Sequence, residues 1–359
     1  MPAGRRGPRE LLDLTLEVSP RARFDVVDLR SRVPLEHRET LGEYPQCLYW
    51  SAHTTAGFLD RPLAARLGPG RVSTYVEALR RLFPEGAGYA HDWLEGRPDL
   101  DAAQRAIEPR NGDSHLAFIA GGLRPCVTHP NRADEAVCFV DLDGVTDGRP
   151  RRRLTRVIGF HREATVAHRR LHVPMSGHPM DSINLKDPRL GVADQLAEFV
   201  TQTGIDKGRL HIALGGEERD AALTVNEFET LLMKYDLAAV LRNPLRFMAE
   251  EYRHALANPR TVPGKALGYA RYDLVRVFNS GLDTLGLKDS LLEKLLARAV
   301  AVPAARVLRM RRSINLLVAE GRDGRPGPVE GVYQSPILVQ WQRPAGAVRT
   351  LDVTLTRLE

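Results

Sequence analysis

Apolar and polar residues alternate along LDLTLEV (12–18) and FDVVDL (24–29), the period of two that predicts half-buried strands. YPQCLYWSAHTT (44–55) reads as a further apolar strand ending in a polar cluster. RVSTYVEALRRLF (71–83) switches to helical spacing and stops before Pro84 and Gly86. A polar stretch, GYAHDWLEGRPD (88–99), leads to a helix starting near Asp113. LRPCVTH (123–129), EAVCFVDLD (135–143) and RLTRVIGF (153–160) then read as closing strands. Mainly antiparallel strands with a few helices make an α+β pattern, and no GxGxxG follows a strand to suggest a dinucleotide fold.

After about residue 165 the order of elements begins again. RLHIALGG (209–216) is a predicted strand, FETLLMKYDLAAVL (228–241) a helix, and VYQSPILVQW (332–341) and RTLDVTLTRL (349–358) strands. Glu218 falls 165 positions after His53, and Tyr252-Arg253-His254 falls 163 after Tyr89-Ala90-His91. The terminal strands, at Leu154 and Leu351, are 197 apart; the surplus fits a helical insertion near 260–312 that holds the Leu-rich stretch 283–302. This pattern predicts a diverged tandem duplication, with domains 1–165 and 166–359, each a mainly antiparallel β-sheet sandwich with a few packed helices. The plainer alternative is two α+β domains that share only a rhythm.

The 359 residues suffice for two such domains. The 51 basic and 45 acidic residues leave a net charge of +6, but only six of the basic residues are Lys, none before Lys186. So strong a preference for Arg reflects coding bias, and the Arg are spread along the chain, so no nucleic-acid footprint is expected. No apolar run approaches membrane-spanning length, and no apolar signal core follows MPAGRRGPRE, which points to a cytoplasmic protein without a membrane partner. Cys47, Cys126 and Cys138 lack any CxxC spacing, and Cys126 reads as a small core residue.

Three histidines sit in polar, loop-flanked settings: His53 in SAHTTAG, His91 in YAHDW and His115 in GDSHLA. Imidazoles are common zinc ligands, and three of them with an open position make a catalytic site. Their separations require tertiary folding to bring them together, so ordinary hydrogen-bonded histidines remain the alternative. Thr54, Asp92 and Ser114 adjoin them as hydrogen-bond partners. Arg110, Asn111 and the Gly121-Gly122 backbone are candidate anion contacts, readable equally as turn residues. Asp141, Asp143 and Asp147 read as a solvated turn before an ion site.

HTTAGF (53–58), YAHD (89–92), NGDSHLAFIAGG (111–122) and the LRPCV strand together resemble the YjbQ family, whose pattern runs HTxAxxxxNE, YxHD, SH, an LxxPV-type strand and GTWQ. The resemblance is clear over 11–163 and faint over 166–359. It implies small α+β units, usually trimeric, with a metal held by histidines between subunits and a secondary thiamine-phosphate synthase activity. It therefore implies a divalent metal, zinc first, at His53, His91 and His115, a small-molecule substrate and a homo-oligomer.

The departures matter as much. Arg61 and Pro62 stand where the Asn-Glu belongs, and the first half lacks GTWQ. The second half supplies Asn226-Glu227 in TVNE and Gln334 in GVYQ, but has Glu218 in place of the first histidine and no Ser-His. Complementary losses predict one composite site. Glu227 would be its general base or acid, and Asp92 a second candidate for proton transfer. Thr54, Thr55, Ser114, Asn226 and Gln334 would contact substrate. The expected function is a metal-dependent enzyme, a transferase of thiamine-phosphate-synthase type on a phosphate-bearing or anionic molecule. A metal-assisted hydrolase or tailoring enzyme, and a non-catalytic metal-binding scaffold, are the alternatives.

Overall fold

The computed structural model describes residues 11–68, 70–146, 148–244, 246–247, 308–321 and 324–359. The Leu-rich stretch 283–302, Tyr252-Arg253-His254, Asp147 and most of the expected insertion lie outside the described residues. The first half runs β1 (Leu12–Val18), β2 (Asp25–Asp28), α1 (Leu35–Gly42), β3 (Gln46–Ser51), β4 (Ala56–Phe58), α2 (Arg61–Leu67) and α3 (Val72–Leu82). It continues through α4 (Ala102–Ile107), α5 (Gly112–Ala120), β5 (Cys126–Pro130) and β6 (Cys138–Asp141). A small hairpin, β7 (Val145–Thr146) and β8 (Arg149–Pro150), precedes β9 (Arg153–Phe160).

The second half opens with β10 (Glu163–Pro174), β11 (Asp181–Asn184), α6 (Val192–Thr203), β12 (Gly208–Leu214) and β13 (Ala221–Asn226). A wide helical turn, Leu231–Asp236, runs into α7 (Leu237–Arg242). Then come β14 (Ser313–Glu320), β15 (Pro326–Val329), β16 (Ser335–Gln340) and β17 (Val348–Leu358). The chain is thus α+β, and its strand pairs are antiparallel.

Side-chain alternation explains the sheets. In β1, Leu14, Leu16 and Val18 point inward while Thr15 and Glu17 face out. α3 buries Val72, Tyr75, Val76, Leu79 and Leu82, the spacing of one helix face. The first half has a four-stranded sheet, β1-β9-β3-β5, and a three-stranded one, β2-β6-β4. The second has β10-β17-β12-β14, extended by β15, and β11-β16-β13. Taken in chain order, both halves use the same strand order in both sheets. Each half packs its two sheets face to face, around Tyr49, Phe58 and Phe139 in the first and Ile212, Leu223 and Leu338 in the second.

The halves share further cores. The outer face of β3, β5 and β9, with Leu48, Trp50 and Phe160, packs on Leu317 and Leu358. A larger cluster joins α3 and α5 to Leu232, Leu237, Ile337 and Val339 of the second half. Fully burying a side chain of this size contributes about 1.5–3 kcal/mol, so the two units are held as one body where the site lies. Among the described residues no helix is long and apolar enough to cross a membrane.

Candidate functional site

Four segments meet at the junction of the halves. The loop after β3 carries His53, Thr54 and Thr55; the loop before α4 carries His91; the start of α5 carries Asn111 and His115; and β13 ends in Asn226, with Glu227 directly after it. α5 begins tight against the His91 loop, because a Cβ on Gly112 would lie 2.8 Å from that of Tyr89. The Asp92 carboxylate accepts the Gly112 N–H at 2.9 Å and so ties the loop to the helix. Burial raises the Asp92 pKa, and the Gly112 bond offsets only part of the shift.

His91 and His115 are buried, with ring centroids 5.0 Å apart and planes at 69°. Asn226 fixes His115. Its Nδ2 donates to Thr54 O at 2.9 Å, so its Oδ1 accepts from His115 Nδ1–H at 2.7 Å. Burial, with charge on His91 nearby, pushes His115 down to about 3, so the ring is neutral with a lone pair on Nε2. That lone pair faces Glu227 Oε2 at 3.5 Å. Two acceptors facing each other without a proton between them repel, and the position suits a cation.

His91 is held differently. Its Nδ1 lies 3.2 Å from Glu229 Oε2, and its backbone N–H donates to Asp236 Oδ2 at 2.9 Å. The Ala90 N–H reaches the other Asp236 oxygen at 2.8 Å. Asn111 Nδ2 donates to Asp143 at 2.8 Å, which leaves its Oδ1 3.2 Å from His91 Nε2. Burial opposes charge on His91, but the Glu229 bond and the Glu227 charge outweigh it and raise the pKa. The Leu231 and Leu232 N–H groups hold Glu229 in turn, at 2.6 and 2.7 Å. Burial pushes the Asp236 carboxyl up to about 6.

Glu227 is fixed by a residue the sequence did not single out. The buried guanidinium of Arg97 donates to Glu227 at 3.1 Å, Glu108 at 2.9 Å and Asp99 at 2.7 Å. One cation thus faces three carboxylates, leaving an excess of negative charge beside the two imidazoles. Burial, and then the Glu227 charge, raises the Glu108 pKa. Glu229, Asp236 and Arg97 gave no signal in the sequence beyond Glu229 lying two positions after Glu227.

The other expected residues fall on both sides of the cleft wall. His53 lines the same cleft, but its Nε2 accepts the Leu154 N–H at 2.7 Å, and burial pushes it down to about 3. Gln334 Nε2 donates to the carbonyls of Ser51 and His53 at 3.0 and 2.8 Å, bracing that loop from the second half. Thr55 lines the cleft, and Ser114 Oγ donates to Leu142 O. Gly121 and Gly122 lie at the far end of α5, where their carbonyls accept from Tyr75 and Arg311. The Arg110 carbonyl accepts from Arg23. Asp141 and Asp143 do not form a solvated turn. Both are buried: Arg153 binds Asp141 at 2.6 and 2.8 Å, and Arg151 pairs with Asp143. Cys126 is a buried core residue, its thiol pushed up to about 12 by burial.

The cleft has a volume of about 580 Å³, with Asn111, His115, Arg151 and Glu227 among its walls. Among the described residues no group of three or more His, Cys, Asp or Glu side chains converges as a metal cage.

No protein-family model matches the chain, and no curated protein does. Among solved structures it is similar to a YbjQ-like protein of unknown function from Sulfolobus solfataricus, at 17% identity and a TM-score of 0.29, over 55% of this chain and 99% of that one. A hypothetical protein from Aeropyrum pernix matches at 17% identity and a TM-score of 0.26, over 53% and 97%. An uncharacterized conserved protein of the yjbq/upf0047 family from Clostridium acetobutylicum matches at 13% and 0.24, over 53% and 99%. Identities and TM-scores this low leave function to be read from the geometry of the site.

Proposed function

We propose that the chain is a metal-dependent enzyme acting on a small phosphate-bearing or otherwise anionic molecule at a site shared by its two halves. The observation that carries this reading is the pair of imidazoles whose Nδ1 atoms are held by oxygens of the second half, Glu229 and Asn226. Metal-binding histidines are held in this way; His115 Nε2 carries the lone pair an ion needs, while His91 Nε2, 3.2 Å from Asn111 Oδ1, would give up its proton as the ion binds. The donor set that fits is Nε2 of His91 and of His115 with Asn111 Oδ1, and the uncompensated carboxylate charge beside them favours a cation. Zinc is the first candidate for imidazole donors. His53 fits less well, since its Nε2 already accepts a backbone N–H.

When bound, the ion would supply Lewis-acid polarisation of a phosphoryl or carbonyl oxygen. Glu227 Oε2, at the cleft wall, takes the proton of the attacking group, while Arg97 holds the carboxylate in place. Arg151, on the same cleft, has one guanidinium nitrogen on Asp143 and would offer the others to the substrate's anionic end. A bond made or broken next to a phosphate, as the resemblance to secondary thiamine-phosphate synthase implies, suits this arrangement. Glu227 beside the imidazoles favours an enzyme over a scaffold.

The same reading includes a tandem duplication. His53 and Glu218 each stand three residues before the alanine that begins the inner strand, Ala56 or Ala221. Each accepts the N–H that comes directly after a buried arginine: Leu154 after Arg153, and Thr350 after Arg349.

The test is elemental analysis of the purified full-length protein, with phosphate and pyrophosphate esters assayed for turnover. His91→Ala and His115→Ala should each lose the metal. Glu227→Gln should keep it and lose about 100-fold or more in rate. Full metal retention in both His variants, or wild-type turnover in Glu227→Gln, refutes the proposal.

A further inference from the structure

The cleft above His115 and Glu227 is polar at its floor and apolar at its mouth. Ile107 at the end of α4, Leu154 in β9, and Val332 and Tyr333 in the turn before β16 all line it. They are 83%, 45%, 73% and 69% exposed, although large apolar side chains normally find cover. They come from three separate segments, so no single amphipathic element accounts for them.

The turn that carries Val332 and Tyr333 is clamped. The Gly331 N–H donates to Gln334 Oε1 at 2.8 Å, and the Gln334 N–H to Gly331 O at 3.0 Å. Gln334 Nε2 is held by the carbonyls of Ser51 and His53. A Cβ on Gly331 would lie 1.8 Å from Ala52 O, so only glycine lets the turn press this close. Fixed in this way, the turn cannot fold its apolar side chains back into the core. Binding surfaces gain affinity from this kind of pre-organisation.

We infer that the cleft takes a small molecule with two unlike ends: an ionised head that reaches Arg151 and the His115–Glu227 floor, and an uncharged, ring-sized arm that lies against Ile107, Val332 and Tyr333. This deepens the proposed function and rests on it for the head. The occupant is a small molecule because a cleft of about 580 Å³ lies within the usual range of ligand pockets. Four side chains at a concave lip fall well short of the roughly 20–30 residues a side that a stable protein interface uses.

Calorimetric titration of the zinc-loaded full-length protein tests it with two probes, inorganic phosphate for the head alone and 1-naphthyl phosphate for head and arm. The naphthyl ester should bind about tenfold or more tightly than phosphate, as expected for burying one ring system. Ile107→Ser combined with Tyr333→Ser should remove that preference while zinc content stays. Equal binding of the two probes, binding of neither, or a preference that survives the double variant overturns the inference. So does a sedimentation shift showing that the wild type self-associates through these two residues without any probe preference. A naphthyl preference in protein that holds no zinc would sink the metal chemistry and leave this inference standing; zinc with no preference would do the reverse.

Discussion

At the scale of single residues, the site is organised by which nitrogen of each histidine is already in use. Asn226 can only present its oxygen to His115, because its amide is committed to Thr54 O. Nε2 is therefore the free atom. Asn226→Ala should lower metal affinity about 10–100-fold, measured by competition with a chromogenic chelator, with little change in fold. An unchanged affinity would show that the Asn226 bond does not orient the ring. His53 presents the opposite case. Its lone pair serves the Leu154 backbone, as the Glu218 carboxylate serves Thr350. His53→Ala should keep the metal and cost about 1–3 kcal/mol of stability from the orphaned N–H, read by denaturant unfolding. Loss of the ion with unchanged stability would make His53 a ligand after all.

Among the elements, the ones with a strong local pattern were legible in the sequence. β1, α3 and β9 fall within a residue of where alternation or helical spacing puts them. Histidines near the site and the Asn226-Glu227 pair were also legible, because a motif is a local object. What could not be read locally is what holds them. Arg97 sits in a polar stretch with no pattern, and it reaches Glu227 across 130 positions. Asp236 meets the His91 backbone across 145 from a widened helical turn, whose register no 3.6-residue period describes. The Gly331 turn is another feature set by tertiary contact. Gly331→Ala should destabilise the protein by about 1–3 kcal/mol, since the new methyl must displace the Ala52 carbonyl. A melting temperature equal to wild type would mean that this close approach relaxes at no cost.

For the whole molecule, the site lies where the two halves, which share a strand order, pack against each other. The first half brings both imidazoles, while the second brings Glu227, Glu229, Asn226 and the Gln334 brace; neither half alone has a full set. On the proposed function, one metal centre is built from the first half's histidines with the second half's carboxylate beside it. Anomalous diffraction at the zinc edge, from crystals of the full-length protein grown with zinc, tests this most directly. One peak is expected, about 2.0–2.1 Å from Nε2 of both His91 and His115, with Glu227 next to it. No peak there, or a peak bound through His53 and remote from Glu227, would contradict it.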